Sequence, residues 1–300
     1  MQKRLLLFTC CFPLLGSLHA QNCVLPVKAT QRAPIVGVAF RDAPLLSVED
    51  QEEITTAATE QQSAEPWSKA GVAKVAEEAA ERTRAAYQNM GYFKVVVTGK
   101  ALLVASDPLG RYNIAIRIVD QGIQYRLDDL NIVGATVFSE VQLRDLFPIQ
   151  RGEIFSRKKI AEGLEALRHL YGSRGYLNYT GVPQTEFDDA SGTADLEINV
   201  DEGKQFRLHS VDVLGTDSET KDRVLDDLAM KPGDIFSSEA WERTFMKFSD
   251  LAQNPDPNAV NKRLDEQNGW VDMVLDFNKP TRCSYSGPPI LRADEPPSDR

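Results

Sequence analysis

The side chains of this 300-residue chain that could carry chemistry are mostly carboxylates, several in adjacent pairs: Glu77-Glu78, Asp128-Asp129, Asp188-Asp189 and Asp226-Asp227. Paired carboxylates do general acid–base work when burial holds one of them protonated near neutral pH. Nothing in the sequence around these pairs shows such burial, and each reads as a solvated face. Nucleophilic catalysis is no better served. The histidines are His19, His169 and His209, and there is no nucleophile-elbow pattern. His169 and His209 have no partner at metal-ligand spacing. The recurring glycines Gly134, Gly152, Gly175, Gly203, Gly215 and Gly233 lack G-x-G-x-x-G or Walker spacing, so they read as turn glycines and not as phosphate loops. The expectation is a chain that is no enzyme, with no catalytic residue, no metal site and no small-molecule cofactor.

What does recur is a block. Val119-Asp120-Gln121-Gly122-Ile123-Gln124-Tyr125-Arg126-Leu127 returns 81 residues later as Val200-Asp201-Glu202-Gly203-Lys204-Gln205-Phe206-Arg207-Leu208. At the same offset Ile132-Val133-Gly134 matches Val213-Leu214-Gly215, and Gly152-Glu153-Ile154-Phe155-Ser156 matches Gly233-Asp234-Ile235-Phe236-Ser237. One offset held through three separated blocks marks an array of small modules. Arrays of this kind bind along their length, which points to a binding or scaffolding role.

Bulk properties narrow the partners. Residues 1–20 read as a signal peptide: Lys3 and Arg4 are basic, Leu5 to Leu15 apolar, and Leu18-His19-Ala20 a cleavage site. Removing two basic residues and no acidic ones takes the formal charge from −10 to −12. An acidic chain without Lys/Arg clusters lacks the footprint of a nucleic-acid binder, and anionic lipid repels it. Export permits a disulfide. Cys23 and Cys283, however, flank an array that would hold them far apart, and they read as unpaired with each other.

The elements between them repeat an order. In the clearest module, Tyr125–Val133 is a strand and Ser139-Glu140-Val141-Gln142 a capping-box start to a short helix that Pro148 ends. Ser156 should cap a second helix with the stripe Ile160, Leu164, Leu167 and Tyr171. Strands Tyr176–Phe187 and Thr193–Val200 follow, the latter pointing Leu196, Ile198 and Val200 inward. The next module repeats this through the helices of Val224, Leu225, Leu228 and of Trp241, Phe245, Phe248 to a hairpin of Val260–Leu264 and Trp270–Phe277. The first has strand Ile35–Phe40, helix Ser47–Gln62, a helix marked by Val72 to Met90, and strands Phe93–Ser106 and Arg111–Val119. There Ile114, Ile116 and Ile118 run one residue out of step with Leu196, Ile198 and Val200, which a bulge before Asp120 would resolve.

The β-α-α-β-β order, Gly91-Tyr92-Phe93 and Gly175-Tyr176-Leu177 after the long helices, and the Val-Asp-x-Gly closing strand followed by Gln-aromatic-Arg-Leu together resemble POTRA (polypeptide-transport-associated) domains. These are the periplasmic modules of BamA- and TamA-type outer-membrane assembly proteins. The resemblance covers about residues 34–278. It implies an α+β fold of three tandem β-α-α-β-β modules, each a three-stranded mixed sheet with two helices on one face. The expected organisation is a signal peptide (1–20), modules over 34–122, 123–203 and 204–278, and a proline-rich disordered tail (279–300). Two departures stand out. Asn254-Pro255-Asp256-Pro257 replaces Gly-Tyr in the third module, and the 22 residues after Asn278 are too few for the membrane barrel such proteins usually end in.

A three-stranded sheet leaves an edge whose unpaired N–H and C=O groups can take up an extended chain with little sequence selectivity. The resemblance implies the hairpin strand after the long helix as that edge: Lys94–Thr98, Tyr179–Phe187 and Val260–Leu264. Exposed Tyr179, Thr185 and Phe187 would add preference. The expected role is then periplasmic binding of unfolded or extended polypeptide clients in outer-membrane protein assembly or protein transport, peripheral to the outer membrane. The alternative is a docking subunit for a separate outer-membrane barrel protein or a division-type envelope complex. Arg126 and Arg207 are expected to pair with Asp120 or Asp201, and Tyr92 and Tyr176 to pack their modules.

Overall fold

The computed structural model describes residues 31–63, 66–248 and 260–277. The expected signal peptide, Cys23, Cys283, the turn at 254–257 and the tail lie outside them. In chain order come β1 (Gln31–Arg32), β2 (Ile35–Arg41), α1 (Val48–Glu60), β3 (Gln62–Ser63), α2 (Lys69–Asn89), β4 (Val96–Leu103) and β5 (Tyr112–Asp120). Next are β6 (Arg126–Val133), α3 (Glu140–Arg144), α4 (Arg157–Ser173), β7 (Thr180–Asp188) and β8 (Thr193–Asp201). Last come β9 (Arg207–Leu214), α5 (Ser218–Asp226), α6 (Ser238–Phe248), β10 (Val260–Asp265) and β11 (Trp270–Asp276).

Three mixed sheets result, ordered β2-β5-β4, β6-β8-β7 and β9-β11-β10. In each, the central strand runs parallel to the first strand and antiparallel to its hairpin partner. The parallel pair slips by one residue at the same place every time, leaving Val36, Asp128 or His209 as the extra residue. Repetition thus extends to an irregularity of the backbone. In the first module a second slip falls where Val97 faces Ile118 and Val96 faces Asp120. Val119 is bulged out there, which puts Ile114, Ile116 and Ile118 in the core and removes the phase mismatch of the sequence.

Each sheet carries its two helices on one face, because one face of each strand and one stripe of each helix share an apolar cluster. In the second module Leu127, Leu130 and Ile132 of β6 and Leu196, Ile198 and Val200 of β8 meet Leu143, Ile160, Leu167 and Tyr171. The stripe of α4 is turned slightly from the expected one. Gly163 holds the central position, and Leu164 is only half-buried. The Phe147 ring occupies the space over Gly163, where a Cβ would come within 2.1 Å of it. Ser139 forms the expected capping box. Ser156 stands at the N-cap of α4 but makes no capping bond. Asn89, from the preceding module, accepts the Lys158 N–H at 3.0 Å instead. The β1–β3 ribbon, pairing Gln31 with Ser63 and Arg32 with Gln62, has no counterpart in the sequence pattern. No described helix is long and apolar enough to cross a membrane.

Candidate functional site

The edges of the sheets decide where another chain could add. The outer edge of β6 is closed at its start by its own module: Leu127 donates to Glu153 O (2.9 Å) and accepts from Gly152 N–H (2.7 Å). In β9, Leu208 repeats this with Asp234 (2.9 Å) and Gly233 (2.7 Å). The recurring arginines serve the same closure. Arg126 donates to Gly152 O at 2.8 Å and Arg207 to Gly233 O at 2.9 Å, which corrects the expected pairing with Asp120 or Asp201. Those aspartates instead fold onto the Gly122 and Gly203 N–H groups, each at 3.0 Å, in Asx turns.

The opposite edges belong to the hairpin strands β4, β7 and β10. In β4 the midpoint Gly99 lies so close under α2 that a Cβ would come 2.1 Å from the Ala76 carbonyl. In β7 all nine residues pair with β8 from Thr180–Asp201 to Asp188–Thr193, and Pro183 stands unbroken opposite Ile198. Backbone groups of successive residues in a strand point alternately to its two sides, and proline is tolerated where its nitrogen faces away from the ladder. Pro183 therefore directs its nitrogen to the free side, and Gly181, Thr185 and Phe187 present their N–H groups to that side too.

Their side chains face the helices, because they pair with Val200, Leu196 and Ala194 of the core. Thr185 and Phe187 are half-buried. The Phe187 ring packs on Tyr125 (4.6 Å between centroids), Phe93 (5.5 Å) and Phe155 (5.9 Å). Tyr179 precedes the strand and stacks on Tyr171 at 4.2 Å. Its hydroxyl is buried without a partner, and burial pushes its pKa up to about 12. The expectation of exposed contact side chains at Tyr179, Thr185 and Phe187 is thereby corrected: the free edge is backbone, and both rings belong to packing. The solvent side of the sheet instead presents Gln184 and Glu186 beside Asp128, Asp129, Asn131, Asp195 and Glu197, with Arg151, along a groove of about 510 Å³.

The Gly-Tyr turns build the joints between modules. Gly91 (φ 89°) accepts the Tyr125 N–H at 3.0 Å, and Gly175 (φ 84°) accepts that of Phe206 at 2.8 Å. The Gln124 and Gln205 side chains donate to the adjoining Met90 and Arg174 carbonyls, at 2.8 and 2.9 Å. Phe93 and Leu177 then plug the next module's core. Lys94 Nζ reaches Asp189 at 2.5 Å, and the Tyr125 hydroxyl donates to the same carboxylate at 2.6 Å. Tyr92 and Tyr176 pack edge-on against Tyr87 and Tyr171 inside their modules, as expected.

One cluster brings together the residue types of a nucleophilic triad. His209 Nδ1 lies 2.8 Å from Asp272 Oδ1, and Ser210 Oγ donates to that same oxygen at 2.5 Å. The serine is thus bound to the carboxylate and not to the imidazole, so no base activates it. The Ser210 and His209 bonds, with Arg263, hold Asp272 down to about 2. Among the described residues no group of acidic, histidine and cysteine side chains could hold a metal.

Fold, joints and repeat define the class: tandem α+β modules, each a three-stranded mixed sheet carrying two helices. Residues 125–203 match the POTRA family, described as "Surface antigen variable number repeat". It is similar to a candidate outer membrane protein assembly factor of Treponema pallidum (strain Nichols), 29% identical over 170 residues, 56% of this chain and 20% of that one. Against outer membrane protein assembly factor BamA of Neisseria meningitidis serogroup B it is 25% identical over 203 residues, 60% of this chain and 25% of that one. The chain thus spans about a fifth to a quarter of the length of these relatives. A crystal structure of Haemophilus influenzae BamA POTRA3-5 shares the fold at a TM-score of 0.64 and 20% identity, covering 85% of this chain and all of that one.

Proposed function

We propose that the chain binds extended polypeptide segments in the periplasm during outer-membrane protein assembly, by adding them as strands to the free edge of β7. The observation that carries this reading is the outward row of backbone groups at Gly181, Thr185 and Phe187, beside an uninterrupted ladder to β8. Relatives that act as outer-membrane assembly factors support the setting. Main-chain bonding suits a receptor for many clients, since every extended chain offers the same groups. The open face beside the edge is acidic, so clients with basic residues at alternate positions suit it best.

Thr185→Pro tests the edge. The lost N–H faces away from β8, so the sheet should stay intact while one outward donor disappears. Titration with a short extended peptide of alternating valine and lysine, followed by NMR shifts, should show the parent and Thr185→Ala binding alike and Thr185→Pro roughly fivefold weaker. Equal binding by all three, or shifts confined to the helices, would replace strand addition by docking of a folded partner.

A further inference from the structure

We propose that Pro183 divides the free edge of β7 into two short half-sites and so keeps strand capture there weak and reversible; this rests on the reading of β7 as the client-binding edge. The same register position is filled differently in each module. Pro183 lies opposite Ile198; its counterparts are Gly99, opposite Ile116, and Val260, opposite Leu275. At Gly99 the helix backbone itself crowds the strand. At Pro183 the strand is exposed, and what obstructs pairing there is the missing donor and the ring that replaces it.

A client residue set opposite Pro183 can donate its N–H to the Pro183 carbonyl. Its own carbonyl meets the ring and finds no donor. Gly181 on one side and Thr185 with Phe187 on the other remain as separate bonding groups. One net hydrogen bond is worth roughly two- to tenfold in affinity. The same gap obstructs two copies of the chain from pairing β7 against β7, the usual hazard of an open edge.

Pro183→Ala in the full chain restores the donor with minimal change in strand preference, and Pro183→Thr restores it with a good strand former. With the valine–lysine peptide as probe, both variants should bind roughly two- to tenfold tighter than the parent, with shifts still centred on Gly181, Thr185 and Phe187. Light scattering should show both associating with themselves more readily than the parent. If the parent binds at β7 and neither proline variant binds tighter, the role of Pro183 is refuted while the edge reading stands. A gain in Pro183→Thr alone refutes it too, because strand preference then explains the effect. Shifts absent from β7 in every protein would overturn both the edge reading and the proposal built on it.

Discussion

Gly91→Ala is the sharpest probe of how the modules are joined. Two costs add at this position. Gly91 has a φ of 89°, and a left-handed conformation costs an alanine roughly 1–2 kcal/mol. The new Cβ would also stand 2.9 Å from the Tyr125 carbonyl and 2.9 Å from Ile154 Cγ2. Both neighbours belong to the next module, so relief requires the modules to move apart. Separation stretches the bond from Tyr125 N–H to Gly91 O, worth about 0.5–1.5 kcal/mol net. It also loosens Phe93 from Phe155 and Phe187. The total is about 2–4 kcal/mol, a large share of the stability a small domain has. Gly110→Ala is the control: φ there is 65°, but nothing lies within 4 Å of the added Cβ, so only the conformational cost applies. Urea denaturation followed by Trp67 fluorescence, with residual dipolar couplings across the joint, measures both parts. If Gly91→Ala costs no more than Gly110→Ala and the couplings are unchanged, the close approach at the joint has no energetic weight.

Other changes give separable outcomes. Leu167→Ala, at a fully buried site, should cost about 2–5 kcal/mol in chemical denaturation; Leu164→Ala should cost clearly less, because that side chain is only half-buried. Burial tends to raise the Glu202 pKa. Bonds from the Thr136 hydroxyl, the Val137 and Thr136 N–H groups and the Tyr171 hydroxyl outweigh it and bring the group down from 4.5 to about 2. Its contribution is therefore full above pH about 4.5 and lost as pH falls towards about 2, so Glu202→Gln should flatten stability against pH in that window. Lys94→Ala should leave the urea midpoint close to that of the parent, because the Lys94–Asp189 pair is solvent-exposed.

Much of the fold is legible in the sequence because its signals are local or repeated. The alternation of Leu196, Ile198 and Val200, the capping box at Ser139 and the Gly-Tyr turns each act within a few residues of themselves. The 81-residue offset then shows that one module's solution is used again. The candidate edge was legible as a strand but not as a surface. Tyr179 turns inward onto Tyr171, and the inward turn of Phe187 depends on Phe93 and Phe155, residues far from it in the sequence.

How the modules complete each other is settled by packing in three dimensions. The first turn of α4 is bonded by Asn89 of the preceding module, and Gln124 and Gln205 serve the ends of the helices before them. Arg126 and Arg207 find a glycine carbonyl within their own modules in place of an aspartate. The elements, their order and the apolar face of each follow from local sequence, because periodicity and turn chemistry are properties of short segments. Hydrogen-bond partners and the side of β7 left open depend on which backbone groups remain unpaired once the sheets and joints have assembled, and that is a property of the packed chain.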